Sequence, residues 1–173
     1  NEGISGNTNQ CLKMATGEYI GLFDHDDLLH PCALYEYVKA INEKGADYLY
    51  CDEATFKNGD VNQMITMHFK PDYAIDNLRA NNYICHLLVV RSALVRRVGG
   101  LNAEYDGAQD HDFLLRCVEQ TDRIAHIPKI LYHWRVHAAS TADNPLSKKY
   151  AYDSGKRAVL DHIRRCGEEA EVT

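Results

Sequence analysis

Two carboxylates one residue apart, Asp24 and Asp26, follow the short apolar run from Glu18 to Phe23. On extended chain such a pair points to one side and could converge on one hard cation. Mg²⁺ or Mn²⁺ bound by one or two carboxylates completes its shell with water and substrate phosphates. It would grip a diphosphate and steady the negative charge that builds on it as a leaving group. With 15 Asp in 173 residues, about one D-x-D pair is expected by chance, so position has to carry the weight. Asp24 and Asp26 sit between a strand-like run and a helix opened by Pro31, where open α/β sheets bind ligands. The plain alternative is a solvated loop with a capping Asp.

A second carboxylate group, Asp110-His111-Asp112, follows Gly107-Ala108-Gln109 and opens a helix. Acidic residues favour a first helical turn for electrostatic reasons alone. The functional alternative is a general base at a helix start beside a glycine-containing loop. The third cluster is Tyr132-His133-Trp134-Arg135-Val136-His137. A His can ligate a divalent metal and an Arg can pair with phosphate. The segment reads as extended, so only one of His133 and His137 is taken as a ligand. Trp134 reads as packing, with a sugar-binding surface as the alternative.

These residues need a scaffold. Ser5–Ala15 reads as a helix stopped by Thr16-Gly17, and Glu18–Phe23 as a strand. Pro31 opens a helix through Ile41, with Gly45 just past its end. Asp47–Cys51 reads as a strand ending in Asp52-Glu53, and Asn58-Gly59 suits a tight hairpin. Tyr83–Val90 is the most strand-like run. Asp110–Gln120 and Ser147–Arg165 carry helical spacing, and Ile130–Trp134 is a short strand. Helix and strand alternating at the start predict an α/β sheet with parallel pairing and crossover helices. Two acidic strand ends, Asp24–Asp27 and Asp52-Glu53, would then share a crevice.

Hydrophobic residues make up 45% of the chain and charged residues 25%, a globular balance. Asp and Glu total 25 against 19 Lys and Arg, and no basic run is present, which argues against nucleic acid as a partner. No apolar stretch is long enough to span a bilayer. The six cysteines have no metal-ligand spacing and read as reduced, as in a cytoplasmic protein.

Taken in order, the segments resemble a family 2 glycosyltransferase of bacterial polysaccharide type. They are Asn1–Asn9, Ala15–Ile20, Phe23–Asp27, Phe69-Lys70-Pro71-Asp72, Asn81–Ile84 with His86, Tyr105–Asp112 with Arg116, and Ile127-Pro128 through His137 to Ser140-Thr141. The resemblance implies a GT-A fold: a nucleotide-binding α/β sheet, mixed and flanked by helices, running on into an acceptor-binding half. It implies one partial GT-A domain over 1–173, matched over about 1–141, with a helical extension over 142–173. The family's opening strand and first crossover are expected ahead of Asn1.

Roles follow by resemblance, residue by residue. Asp24 and Asp26 would hold Mn²⁺ or Mg²⁺ on the donor diphosphate, while Asp27 caps the following turn. His137 would complete the metal site, with His133 as the fallback. Asp110 would be the catalytic base that takes a proton from an acceptor hydroxyl. Asn9 and Arg135 would face the donor, and Asp52 and Asn82 the acceptor. One base and one metal-held leaving group imply a single displacement, with inversion at the anomeric carbon. The partners implied are a nucleotide-diphospho-sugar donor and a glycan or lipid-linked glycan acceptor, in the cytoplasm or at the inner face of the membrane. The sequence departs from the family at Gln109, where a Glu is usual. With the missing front, this motivates an alternative: a domain that binds glycan or a partner protein without chemistry.

Overall fold

The structure is a computed structural model that describes residues 1–57, 59–136 and 149–172. The chain runs α1 (Gly3–Met14), β1 (Tyr19–Leu22), β2 (Leu28–Leu29), α2 (Ala33–Lys44), β3 (Tyr48–Lys57) and β4 (Asp60–His68). It continues with α3 (Ile75–Ala80), β5 (Leu88–Arg91), α4 (Ser92–Val98), a 3₁₀ turn at Ala103–Tyr105, α5 (Gln109–Val118), β6 (Ile124–Arg135) and α6 (Lys149–Arg165). Six strands form one sheet in the order β1-β5-β3-β6-β2, with β4 paired to β3 as a hairpin. The α/β class is as expected. The expected parallel pairing holds only for β3 with β6; the other pairs are antiparallel. Strands β1 and β3 share a direction but do not touch, because β5 lies antiparallel between them.

The two-residue period of β3 divides the core. Tyr48 and Tyr50 face a layer that includes Leu88 and Val90 of β5, Leu94, Phe113, Leu114 and Val159. Leu49 and Cys51 face the opposite layer with Ala33, Tyr37 and Ala40 of α2. Those three recur at helical spacing, which is why α2 forms and lies on that face. It stops at Gly45, whose φ of 60° suits a residue without Cβ and whose N–H donates to the Ile41 carbonyl at 2.9 Å.

Three expected boundaries move. β3 does not end at Cys51 but continues to Lys57, so Asp52 and Glu53 lie inside a buried strand. They are tolerated there because both carboxylates are hydrogen-bonded or ion-paired, as described below. Tyr83–Leu87 is not strand; only Leu88–Arg91 pairs. The carbonyls of Ile84 and His86 accept from the Lys70 ammonium instead of from a neighbouring strand. β6 begins at Ile124 rather than Ile130, because Ile124–Ile127 pair alongside Tyr48–Cys51.

Six cysteines are free, with Cys51 and Cys117 buried. Among the described residues no helix is long and apolar enough to cross a membrane.

Candidate functional site

Asp24 lies just beyond β1, and a turn at residues 25–26 brings Asp27 back beside it, with the Asp27 N–H donating to the Asp24 carbonyl at 3.3 Å. The segment is therefore not extended, and the neighbour of Asp24 is the residue three positions on. Asp24, Asp27 and His86 each offer a ligand atom, and these atoms lie within 4.8 Å of one another. Asp26 stands outside this group; its carboxylate lies 3.9 Å from the exposed His25 ring. Asp27 does not cap the next turn. It is buried, and its two oxygens accept from the Tyr132 hydroxyl at 2.5 Å and the Arg135 backbone N–H at 2.7 Å. Burial raises its pKa, and those two bonds restrain the rise.

His86 reaches this cluster from the irregular segment before β5. Its Nε2 is 3.4 Å from Asp24, and its ring stacks on Tyr132 with centroids 5.0 Å apart. Burial opposes charge on the ring, yet hydrogen bonding to Asp24, Cys85 and Glu53 overcomes that and lifts its pKa to about 12. The same carboxylates that hold a proton there would favour a metal cation. His86 Nδ1 is buried and lies 3.5 Å from Glu53. Two carboxylates and one imidazole form a donor set that suits a hard divalent ion. The residues present therefore fit Mn²⁺ or Mg²⁺.

Behind His86 lies a buried ionic group. The Lys70 ammonium donates to Glu53 at 3.1 Å, to the Ile84 carbonyl at 2.6 Å and to the His86 carbonyl. Glu53 also meets His68 Nδ1 at 2.9 Å. Burial would raise the Glu53 pKa, but bonds from His86, the Lys70 charge and His68 pull it down to about 2. Asp52 is 3% exposed and accepts from the Lys70 backbone N–H at 2.9 Å, with His126 Nε2 at 2.8 Å. It braces the strand and does not line the cavity described below.

Asp110 stands in the first turn of α5, half-buried, and its Oδ2 accepts from the Asn82 side-chain amide at 3.0 Å. The helix start is anchored one turn on. Arg116 donates to buried Asp112 at 2.6 Å and to the carbonyls of Val98 and Gly100 at 2.6 and 2.7 Å. Asp112 is thus spent on the scaffold. The approach to α5 needs glycine: Gly107 has a φ of 97°, and a Cβ there would meet the Tyr150 ring at 2.6 Å. Gln109 accepts from the Gly107 N–H at 2.7 Å and so shapes the same loop.

One cavity of about 550 Å³ joins these parts. Asp24, His86, Gln109 and Asp110 line it, together with Ile4 and Thr8 of α1. Among its lining residues only Asp24 and Asp110 are carboxylates. Asn9 is not in this wall. Its amide pins α1 to Leu101, donating to the carbonyl at 2.8 Å and accepting from the N–H at 2.9 Å. Arg135 stacks on Phe56 and donates from Nε to the Asp26 carbonyl at 2.6 Å, holding the acidic turn. His133 is buried beside His30 and is not part of the Asp24, Asp27 and His86 group, and burial lowers its pKa. His137 falls outside the described residues. The spacing of motifs pointed to Asp24 and Asp110, and the resemblance to Asn82, but neither grouped Asp27 and His86 with Asp24. His86 stood in the Asn81–His86 segment and was the one signal available.

Residues 1–98 match the family model described as Glycosyl transferase family 2. The chain is 38% identical over 167 residues to the O-antigen biosynthesis protein RfbC of Myxococcus xanthus, covering 96% of this chain and 13% of that protein. Among solved structures, S. aureus TarS 1-349 in complex with UDP-GlcNAc superposes with a TM-score of 0.71 at 20% identity, covering 94% of this chain and 47% of that one. The mannosyltransferase PcManGT from Pyrobaculum calidifontis, solved with GDP-Man and Mn²⁺, gives a TM-score of 0.58 at 15% identity, over 100% and 46% of the two chains. The mixed sheet flanked by helices is the GT-A fold. The chain spans 13% and 18% of the length of two curated relatives it matches along most of itself.

Proposed function

The chain belongs to glycosyl transferase family 2, and on that premise we propose that it moves a sugar from a nucleotide-diphospho-sugar to a hydroxyl of a glycan acceptor, with inversion. One observation carries this reading: Asp110, a carboxylate held by an amide, and Asp24, a carboxylate grouped with Asp27 and His86, line the same cavity. The two have different neighbours and so different work. Asp24, Asp27 and His86 would hold Mn²⁺ or Mg²⁺, which would neutralise charge on the departing diphosphate.

Asp110 does the proton chemistry. Asn82 occupies one of its oxygens, which fixes the carboxylate plane and leaves the other oxygen for an acceptor hydroxyl. As the hydroxyl oxygen attacks the anomeric carbon, its proton passes to Asp110 and the bond to the diphosphate breaks. A single displacement exchanges the two oxygens on opposite faces of that carbon, so configuration inverts. The partners are a nucleotide-sugar donor and a glycan or lipid-linked glycan acceptor. The work is placed in the cytoplasm, at the inner membrane face when the acceptor is lipid-linked.

Two measurements test this reading. The anomeric proton coupling of the product, read by NMR early in turnover, should be opposite in class to that of the donor; retention would overturn the single displacement. Calorimetric titration with Mn²⁺ tests the cluster. Asp24→Asn and Asp27→Asn should each weaken affinity at least about tenfold, while Asp26→Asn binds like the parent. Loss at Asp24→Asn and Asp26→Asn, with Asp27→Asn binding like the parent, would move the site to the D-x-D pair read from the sequence.

A further inference from the structure

Two carboxylates in a small volume repel each other, so a cluster of cation ligands needs a scaffold that fixes its spacing. The arms of this cluster come from distant parts of the chain: the turn bearing Asp24 and Asp27, and the irregular segment bearing His86. Tyr132 of β6 meets both arms. It is fully buried, and its backbone lies in register with Glu53 of β3 on one side and Leu29 of β2 on the other. The sheet, rather than the site, therefore fixes where Tyr132 stands.

Its side chain touches all three members of the cluster. The hydroxyl donates to Asp27 Oδ2 at 2.5 Å and accepts from the Asp24 backbone N–H at 3.4 Å. One oxygen thus ties both ends of the acidic turn. The ring stacks on the His86 imidazole, with centroids 5.0 Å apart and planes 7° from parallel. Phe23, at the entry to the turn, meets the Tyr132 ring edge-on at 6.0 Å. Trp134, two residues further along the same strand, tilts against His86 at 5.2 Å. The His86 ring is therefore held by two aromatic side chains of one strand.

We propose that Tyr132 is the positioning residue of the cation cluster: its hydroxyl sets the Asp27 carboxylate against the Asp24 backbone, and its ring sets His86 against both. The proposal rests on the reading of Asp24, Asp27 and His86 as the Mn²⁺ or Mg²⁺ site. Tyr132 is not itself a ligand, because its proton is committed to Asp27. It acts through the ligands, as groups that orient metal-binding side chains do. A Tyr132 that only filled the core would leave the ion unaffected when its hydroxyl alone is removed.

Titration of the full chain with Mn²⁺, by calorimetry and by EPR of the bound ion, tests this. Tyr132→Phe keeps the ring and removes the hydroxyl. Its Mn²⁺ affinity should fall about tenfold, and the EPR signature of the bound ion should change, because the carboxylate geometry around it has changed. Tyr105→Phe is the control. It removes a buried side chain's hydroxyl that donates to Asp161 of α6 at 2.6 Å, and it should bind Mn²⁺ like the parent. A double-mutant cycle adds a readout that lost stability does not move. Tyr132→Phe combined with Asp27→Asn should lose much less than the product of the two single losses, since the hydroxyl acts through that carboxylate. The proposal is overturned if Tyr132→Phe binds Mn²⁺ like the parent, if its loss multiplies in full with that of Asp27→Asn, or if Tyr105→Phe loses as much. Loss in Asp24→Asn without loss in Tyr132→Phe removes the positioning role alone. A parent chain that takes up no Mn²⁺ removes the cluster reading, and the proposal with it.

Discussion

Asp110→Asn should lower sugar transfer about 10²–10⁴-fold while leaving nucleotide and Mn²⁺ affinity near the parent values. The substitution keeps the size and the helix position of the side chain. It removes the one property the mechanism needs, a group that accepts the acceptor's proton as the new bond forms. Asn82 would still find an oxygen to bond, so the local structure should hold. The loss belongs in kcat, because Asp110 acts on the reacting proton rather than on ground-state binding. The companion variant Asn82→Ala should cost less, since it loosens the orientation of the carboxylate but leaves the base in place. Turnover of Asp110→Asn equal to the parent would remove Asp110 as the base.

Lys70→Met should destabilise the fold by about 3–5 kcal/mol, the usual consequence of stranding one partner of a buried ion pair. Glu53 would keep its burial and lose its cation, and the carbonyls of Ile84 and His86 would lose their common donor. In a chain of this size that corresponds to a fall of roughly 10 °C in melting temperature. The double variant Glu53→Gln with Lys70→Met should recover part of the loss, because the uncompensated charge is gone. The pair also sets a pH dependence. Glu53 titrates near 2 in the folded state, below the ordinary carboxylate value of about 4.3. Its contribution is therefore complete above that unfolded value and drains away as the pH falls towards 2. Glu53→Gln should flatten the acid limb of the stability curve. An unchanged acid limb would show that Glu53 is not the group responsible.

The consequence extends beyond stability, because Lys70 holds the backbone on either side of Cys85. Its two carbonyl contacts fold Tyr83–Leu87 out of the sheet and so set His86 against Asp24 and Asn82 against Asp110. A residue buried beneath the site thereby links the proposed metal cluster to the proposed base.

Local signals in the sequence carried a good deal of this. Apolar runs bounded by acidic or turn residues located β1 and the start of β3. Pro31 and Gly45 bracketed α2, and the 3.6-residue spacing located α5, because a helix that packs on the core must repeat its apolar face. Asp24 and Asp110 stood out because their motifs sit where a strand ends and where a helix begins. The order of β1, β5 and β3 was out of reach, since nothing local distinguishes an antiparallel strand inserted between two parallel-running ones. The fate of Asp52 was equally hidden: a carboxylate beyond a strand and one inside it look alike until the backbone N–H of Lys70 and the ring of His126 arrive from distant segments. By itself the sequence determined the α/β class, the family pattern and the residue types available for chemistry, because these depend on periodicity and on short motifs. Only the tertiary structure decided that Asp27 and His86 join Asp24. That grouping depends on one turn and on a segment about sixty residues later, held by a buried lysine.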